Sequence, residues 1–84
     1  MQLRDLIDRI PEGYTEGWYE GRRYGLSRRD FNGGKSTKVY ARELGGTDFI
    51  SFNHYPTARD PLKPCEMPVA KVLHFLRHMR LERE

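Results

Sequence analysis

With one cysteine, Cys65, in 84 residues, the chain can form no internal disulfide, and a CxxC pair is excluded. No HExxH pattern occurs, and no apolar run approaches the length that crosses a bilayer. The N-terminal stretch MQLRDLIDRIPEG has no apolar signal core and carries acids early, so it does not read as an export signal. Repeats and low-complexity tracts are absent as well. These absences lead to the expectation of a single domain over residues 1–84 in a reducing cytoplasm, without a membrane association, a cofactor or a metal. Apolar residues at 37% and charged residues at 32% suit a small folded domain whose core is only just large enough to stand alone.

What is present is a β-rich centre. Two glycine pairs, Gly33-Gly34 and Gly45-Gly46, divide residues 22–55 into three short runs rich in β-formers: RRYGLSRRDF, KSTKVYAREL and TDFISFNHY. A two-residue turn fixes register, so parity can be checked. Centring a turn on Gly45-Gly46 sets Ala41 opposite Ile50 and Val39 opposite Phe52, on one apolar face. Centring the other on Gly33-Gly34 or Asn32-Gly33 adds Tyr24, Leu26 and Arg28 to that same face. A further strand is expected over residues 13–20, with Glu20-Gly21 as its turn. A strict two-residue turn there puts Trp18 on the polar face, and one more loop residue would turn it to the core.

Helices flank this meander. Leu3, Leu6, Ile7 and Ile10 recur at i, i+3, i+4 and i+7, which predicts a short amphipathic helix over 2–10 stopped by Pro11 and Gly13. PTARDPLKPCEMP, with four prolines, reads as a connecting loop. Val69, Val72, Leu73, Leu76 and Met79 then predict a longer helix over about 68–82. The expected fold is α+β: a four-stranded antiparallel β-meander with a short N-terminal and a longer C-terminal helix, in the order α-β-β-β-β-α.

Charge supplies the functional lead. The net charge is only +3, yet residues 22–42 carry seven basic residues against Asp30 alone. By parity Arg23, Arg29, Lys38 and Arg42 share a sheet face with Tyr40 and Phe49, and with Trp18 and Phe31 if the turns allow. Cations that hold phosphates beside rings that stack bases are what a single-stranded nucleic-acid surface needs. An ordinary solvated face, or one covered by a protein partner or a second copy, accounts for the same residues, and no aromatic-rich RNA-binding consensus occurs. Self-association could also use an apolar part of the last helix left uncovered, such as Phe75.

Other constellations are weaker. His74 and His78, at i and i+4, share a helical face, but Cys65 and His54 lie far away in sequence and complete no ligand set. Glu43 and Asp48 face each other near the Gly45-Gly46 turn, where water or Arg28 can reach them, and solvation explains them as well as acid–base work does. Nothing requires catalysis.

At VYARELGGTDFISFNHY, followed by LKPCEMP and an apolar helix, the chain resembles a family of small uncharacterised bacterial proteins sometimes labelled peptide methionine sulfoxide reductases. The resemblance covers nearly the whole chain and implies a stand-alone domain of unassigned role. The Gly-Cys-Phe-Trp and Arg-x-Cys-x-Asn patterns of the known reductases are absent, so Cys65 would have to act without a resolving partner. A thiol-dependent enzyme is therefore the alternative to a binding module.

Overall fold

The structure, a computed structural model, describes residues 2–82. It contains α1 (Leu3–Asp8), β1 (Gly13–Tyr19), β2 (Arg22–Phe31), β3 (Ser36–Glu43), β4 (Phe49–His54), β5 (Leu62–Pro64), α2 (Val69–His78) and β6 (Arg80–Leu81). The strands form one sheet in the order β5-β4-β3-β2-β1-β6, every neighbouring pair antiparallel. The α+β class and the two terminal helices are as expected from sequence, but the sheet has six strands rather than four.

The central registers are those the glycine pairs dictate: Leu26 pairs with Ala41, Arg28 with Val39, Ala41 with Ile50 and Val39 with Phe52. The first glycine pair sits inside a longer loop, residues 32–35, in which Asn32, Gly33 and Gly34 all have positive φ. Because that loop is centred on Gly33-Gly34, the register is unchanged. Glu20-Gly21 is a strict two-residue turn with φ of 55° and 74°, so Tyr19 pairs with Arg22 and Trp18 with Arg23. Trp18 is thereby placed on the polar face. Glutamate is a poor occupant of that left-handed position, and Glu20→Asn is expected to raise stability by about 0.5–1 kcal/mol, read as a higher urea midpoint at unchanged slope.

Two added strands explain the difference in count. β5 lies within the proline-rich stretch expected to be a loop: three residues pair with β4, with Tyr55 N–H donating to the Pro61 carbonyl and Cys65 N–H to that of Ser51. Prolines are tolerated there because the outer side of an edge strand owes no hydrogen bonds. β6 lies within residues expected to be helical. α2 stops at His78, Met79 turns to extended geometry, and Arg80 and Leu81 pair with Trp18 and Gly17. A side chain at residue 17 would forbid this, since a Cβ there would stand 2.5 Å from the Arg80 carbonyl oxygen.

Both helices pack on one face of the sheet. Leu6, Ile7 and Ile10 beside α1, and Val72, Phe75, Leu76 and Met79 along α2, join Leu26, Val39, Ala41, Ile50 and Phe52 in a single core. Phe75, considered above as an uncovered patch, is instead fully buried and meets Tyr19 edge-on with ring centroids 4.9 Å apart. Two arginines tie the helices down. Arg28 donates to the carbonyls of Ile7 and Ile10 at 3.3 and 2.7 Å, and Arg9 to those of Leu76 and Met79 at 3.3 and 3.1 Å. Each guanidinium thus meets carbonyls at or beyond a helix C-terminus, which lack intrahelical partners and carry the negative end of the dipole. No helix among the described residues is long and apolar enough to cross a membrane.

His54 is buried on the same core face, and burial, followed by the nearby Arg4 charge, holds its imidazole below the ordinary value of 6.5. Unfolded histidine takes up a proton below that value while folded His54 stays neutral. Its contribution to stability is therefore complete above pH 6.5 and declines as the pH falls toward the lower folded value. Urea midpoints measured at pH 7.5, 6.5 and 5.5 should fall over the acidic half of that range, as they do where a group is depressed on folding. In His54→Gln, which cannot titrate, the fall is expected to be shallower.

Candidate nucleic-acid interface

With both helices on one side, the opposite face of the sheet is uncovered among the described residues. Alternation along each strand places Tyr14, Glu16 and Trp18 of β1 there, with Arg23, Gly25, Ser27 and Arg29 of β2, Lys38, Tyr40 and Arg42 of β3 and Phe49 of β4. All six residues singled out from sequence, Arg23, Arg29, Lys38, Tyr40, Arg42 and Phe49, thus share one face. The rings are accessible: Tyr14 is 62% exposed, Phe31 44%, Trp18 42% and Tyr40 40%. Tyr40 and Phe49 stack with ring centroids 6.1 Å apart, which supports the Tyr40 ring from one side.

The cations are not equivalent. Arg23 is engaged by two carboxylates, Glu16 and Glu82, its Nε donating to Glu16 at 2.9 Å, and its guanidinium lies 5.8 Å from the centre of the Trp18 ring. Glu16 also accepts from the Tyr14 hydroxyl at 2.9 Å, and these bonds, first from Tyr14 and then from Arg23, hold its carboxyl below the ordinary range. The Trp18 end of the face is therefore electrically satisfied. Arg29, Lys38 and Arg42, by contrast, face no carboxylate within ion-pairing distance among the described residues. They form a cationic border that the fold leaves uncompensated.

Between them runs a groove. A cleft of about 460 Å³ is lined by Tyr14, Ser27, Arg29, Phe31, Lys38 and Tyr40, and a second of about 220 Å³ by Tyr14, Gly25, Ser27, Tyr40, Arg42 and Leu44. The two share Tyr14, Ser27 and Tyr40, so they are lobes of one depression along β2 that meet where Tyr14 and Tyr40 pair with Ser27 from either side. The missing side chain at Gly25 makes room for Tyr14, whose hydroxyl occupies the space a Cβ would take. Tyr14 and the small floor of Gly25 and Ser27 were missed in sequence. The Glu20-Gly21 turn held the signal, because the parity that places Trp18 on this face also places Tyr14 there.

The other candidates disperse. Cys65 lies at the rim of the open face, half-buried, with Lys38 Nζ 3.6 Å and Asn53 Nδ2 3.8 Å from its sulfur. His74 Nδ1 is 2.6 Å from the Tyr19 hydroxyl on the helix side, with the His78 ring centroid 4.3 Å from its own. Among the described residues no three histidine, cysteine or acidic side chains come close enough to hold a metal. Glu43 and Asp48 are neighbours as expected, but the cations that reach them are Arg22 and Lys71 rather than Arg28. Arg22 donates to Glu43 at 2.8 Å, while Tyr24 and Lys71 donate to Asp48 at 2.7 and 2.6 Å. Burial pushes Asp48 upward, but the bonds from Lys71 and Tyr24 outweigh it and hold the carboxyl below its ordinary range, as expected of a carboxylate that pins α2 to the β3–β4 turn.

No family model, curated protein or solved structure matches this chain.

Proposed function

We propose that the chain is a small cytoplasmic binding domain that takes an acidic partner on the helix-free face of its sheet. The observation that carries this reading is the segregation of charge on that face: Arg23 is neutralised by Glu16 and Glu82, whereas Arg29, Lys38 and Arg42 flank the groove without an acidic partner among the described residues. Cations without an acidic partner among the described residues, beside exposed rings, are suited to an anionic ligand with flat or apolar groups. The sheet edges favour use of the face over edge pairing, since β5 is three residues containing proline and β6 is two.

The test is equilibrium binding of a heparin oligosaccharide, a generic polyanion, at 50 and 200 mM salt. Binding that weakens at the higher salt supports the reading, and no binding at either concentration removes it. A second copy on the same face makes a different prediction, a mass above the monomer that changes little with salt. The thiol alternative has one observation in its favour, the Lys38 and Asn53 donors directed at Cys65. It requires methionine sulfoxide reduction that disappears in Cys65→Ser.

A further inference from the structure

We infer that the acidic partner is a single-stranded nucleic acid, lying along β2 with successive bases in the two lobes of the groove and stacked on Tyr14 and Tyr40. This rests on the anionic-partner reading and adds to it the chemistry of the ligand. A polyanion alone would need only the cations. The groove offers in addition two accessible phenol rings, Tyr14 reaching over Gly25 and Tyr40 beside Ser27.

The Tyr14 ring reaches from β1 over Gly25 and is 62% exposed, and Tyr40 on β3, the other neighbour of β2, is 40% exposed, so both rings offer surface to flat groups laid along β2. Tyr14 is fixed through Glu16, and Tyr40 is backed by Phe49, so both walls stand in place before a ligand arrives. Along β2, Gly25 under the Tyr14 ring and Ser27 beside Tyr40 are two residues apart, about 6.8 Å, the scale of one extended nucleotide. Arg42 borders the smaller lobe, and Arg29 and Lys38 the larger, so a backbone threading both lobes meets a cation at each end. Phe31, exposed at the far end of the larger lobe, offers a further stacking surface. Glycine has no side chain and the Ser27 hydroxyl both donates and accepts, so neither selects a base, and recognition through ring faces and phosphates tolerates sequence.

The experiment measures affinity at low salt for three octamers, oligo(U), oligo(dT) and an abasic strand with the same number of phosphates, beside the heparin oligosaccharide. The wild-type chain is compared with Tyr14→Ala, Tyr40→Ala and Tyr14→Phe. The expected result is binding of oligo(U) or oligo(dT) at least tenfold tighter than the abasic strand, with a loss of about tenfold in each alanine variant. Those variants should bind the abasic strand as the wild type does, and Tyr14→Phe, which keeps the ring but gives up the bond to Glu16, should lose clearly less affinity for the bases than Tyr14→Ala. Either sugar supports the inference, and the ratio between the two strands tells whether the ribose hydroxyl is read.

Equal affinity for the abasic strand, or alanine variants that retain full affinity for the bases, would overturn base stacking while leaving the anionic-partner reading intact. Binding of heparin but of no oligonucleotide would overturn it in favour of another acidic partner. Failure of every ligand, heparin included, would take the underlying reading with it. Tyr14 and Tyr40 lie outside the core, so unchanged amide spectra are expected for the variants and verify that a loss of binding is not a loss of fold.

Discussion

Replacing Arg28 with methionine is expected to lower the stability of the fold by about 3 kcal/mol, while the same change at the adjacent Arg29 should cost less than about 0.5 kcal/mol. Parity turns the two side chains to opposite faces of β2. Arg28 passes under α1, where it donates to the carbonyls of Ile7 and Ile10 and forms a pair with Asp30 at 3.1 Å, and only 15% of its side chain is accessible. Methionine keeps much of the aliphatic stem but removes the guanidinium from two carbonyls at or beyond the end of α1 and from Asp30, leaving Ile7 with the Ile10 N–H and Asp30 with the Thr37 hydroxyl as donors. An α1 of six residues cannot persist without its anchorage. For a domain of this size the loss corresponds to roughly 12–24 °C in Tm, measured by calorimetry or far-ultraviolet dichroism. The loss has an acid counterpart, because the bonds from Arg28 and then Thr37 hold Asp30 below the ordinary carboxylate range. That contribution is fully present above the unfolded value of 3.8 and disappears as the pH falls through the lower folded one. Arg28→Met should remove most of it.

The second large effect is on binding. Substituting Arg29, Lys38 and Arg42 together with glutamine should abolish most salt-dependent affinity for a polyanion while leaving the urea midpoint nearly unchanged. Three phosphates neutralised on a single strand give a slope of log affinity against log salt of about −2, or a loss of about 20-fold between 50 and 200 mM salt. The triple variant should show a slope near zero. Arg23→Gln should behave differently, since its charge is already committed to Glu16 and Glu82. A variant at Arg23 that flattened the salt dependence as much as the triple change would show that the distinction drawn between these cations is wrong.

That distinction was beyond the reach of the sequence, for an identifiable reason. The glycine pairs and alternation fix register, and register alone places Arg23, Arg29, Lys38, Tyr40, Arg42 and Phe49 on one face. The state of Arg23 depends on Glu82, which β6 delivers, and β6 is two residues hidden in a helical pattern whose Met79 and Leu81 are apolar in either conformation. β5 was concealed in the same way by prolines, which argue against a central strand and permit an edge one. Trp18 and Tyr40 are exposed on the helix-free face, so aromatic content alone does not decide which face the helices cover. Tyr14 waited on the Glu20-Gly21 turn, where a glutamate at φ 55° gives little warning of a two-residue hairpin.

The most direct test of the central claim is an amide chemical-shift titration of the isotopically labelled chain with the heparin oligosaccharide at 50 mM salt. Shifts concentrated on Ser27, Arg29, Lys38, Tyr40 and Arg42 that shrink at 200 mM salt are the predicted result. Shifts concentrated instead on Arg77 and His78 of α2, or none at the lower salt, would contradict it.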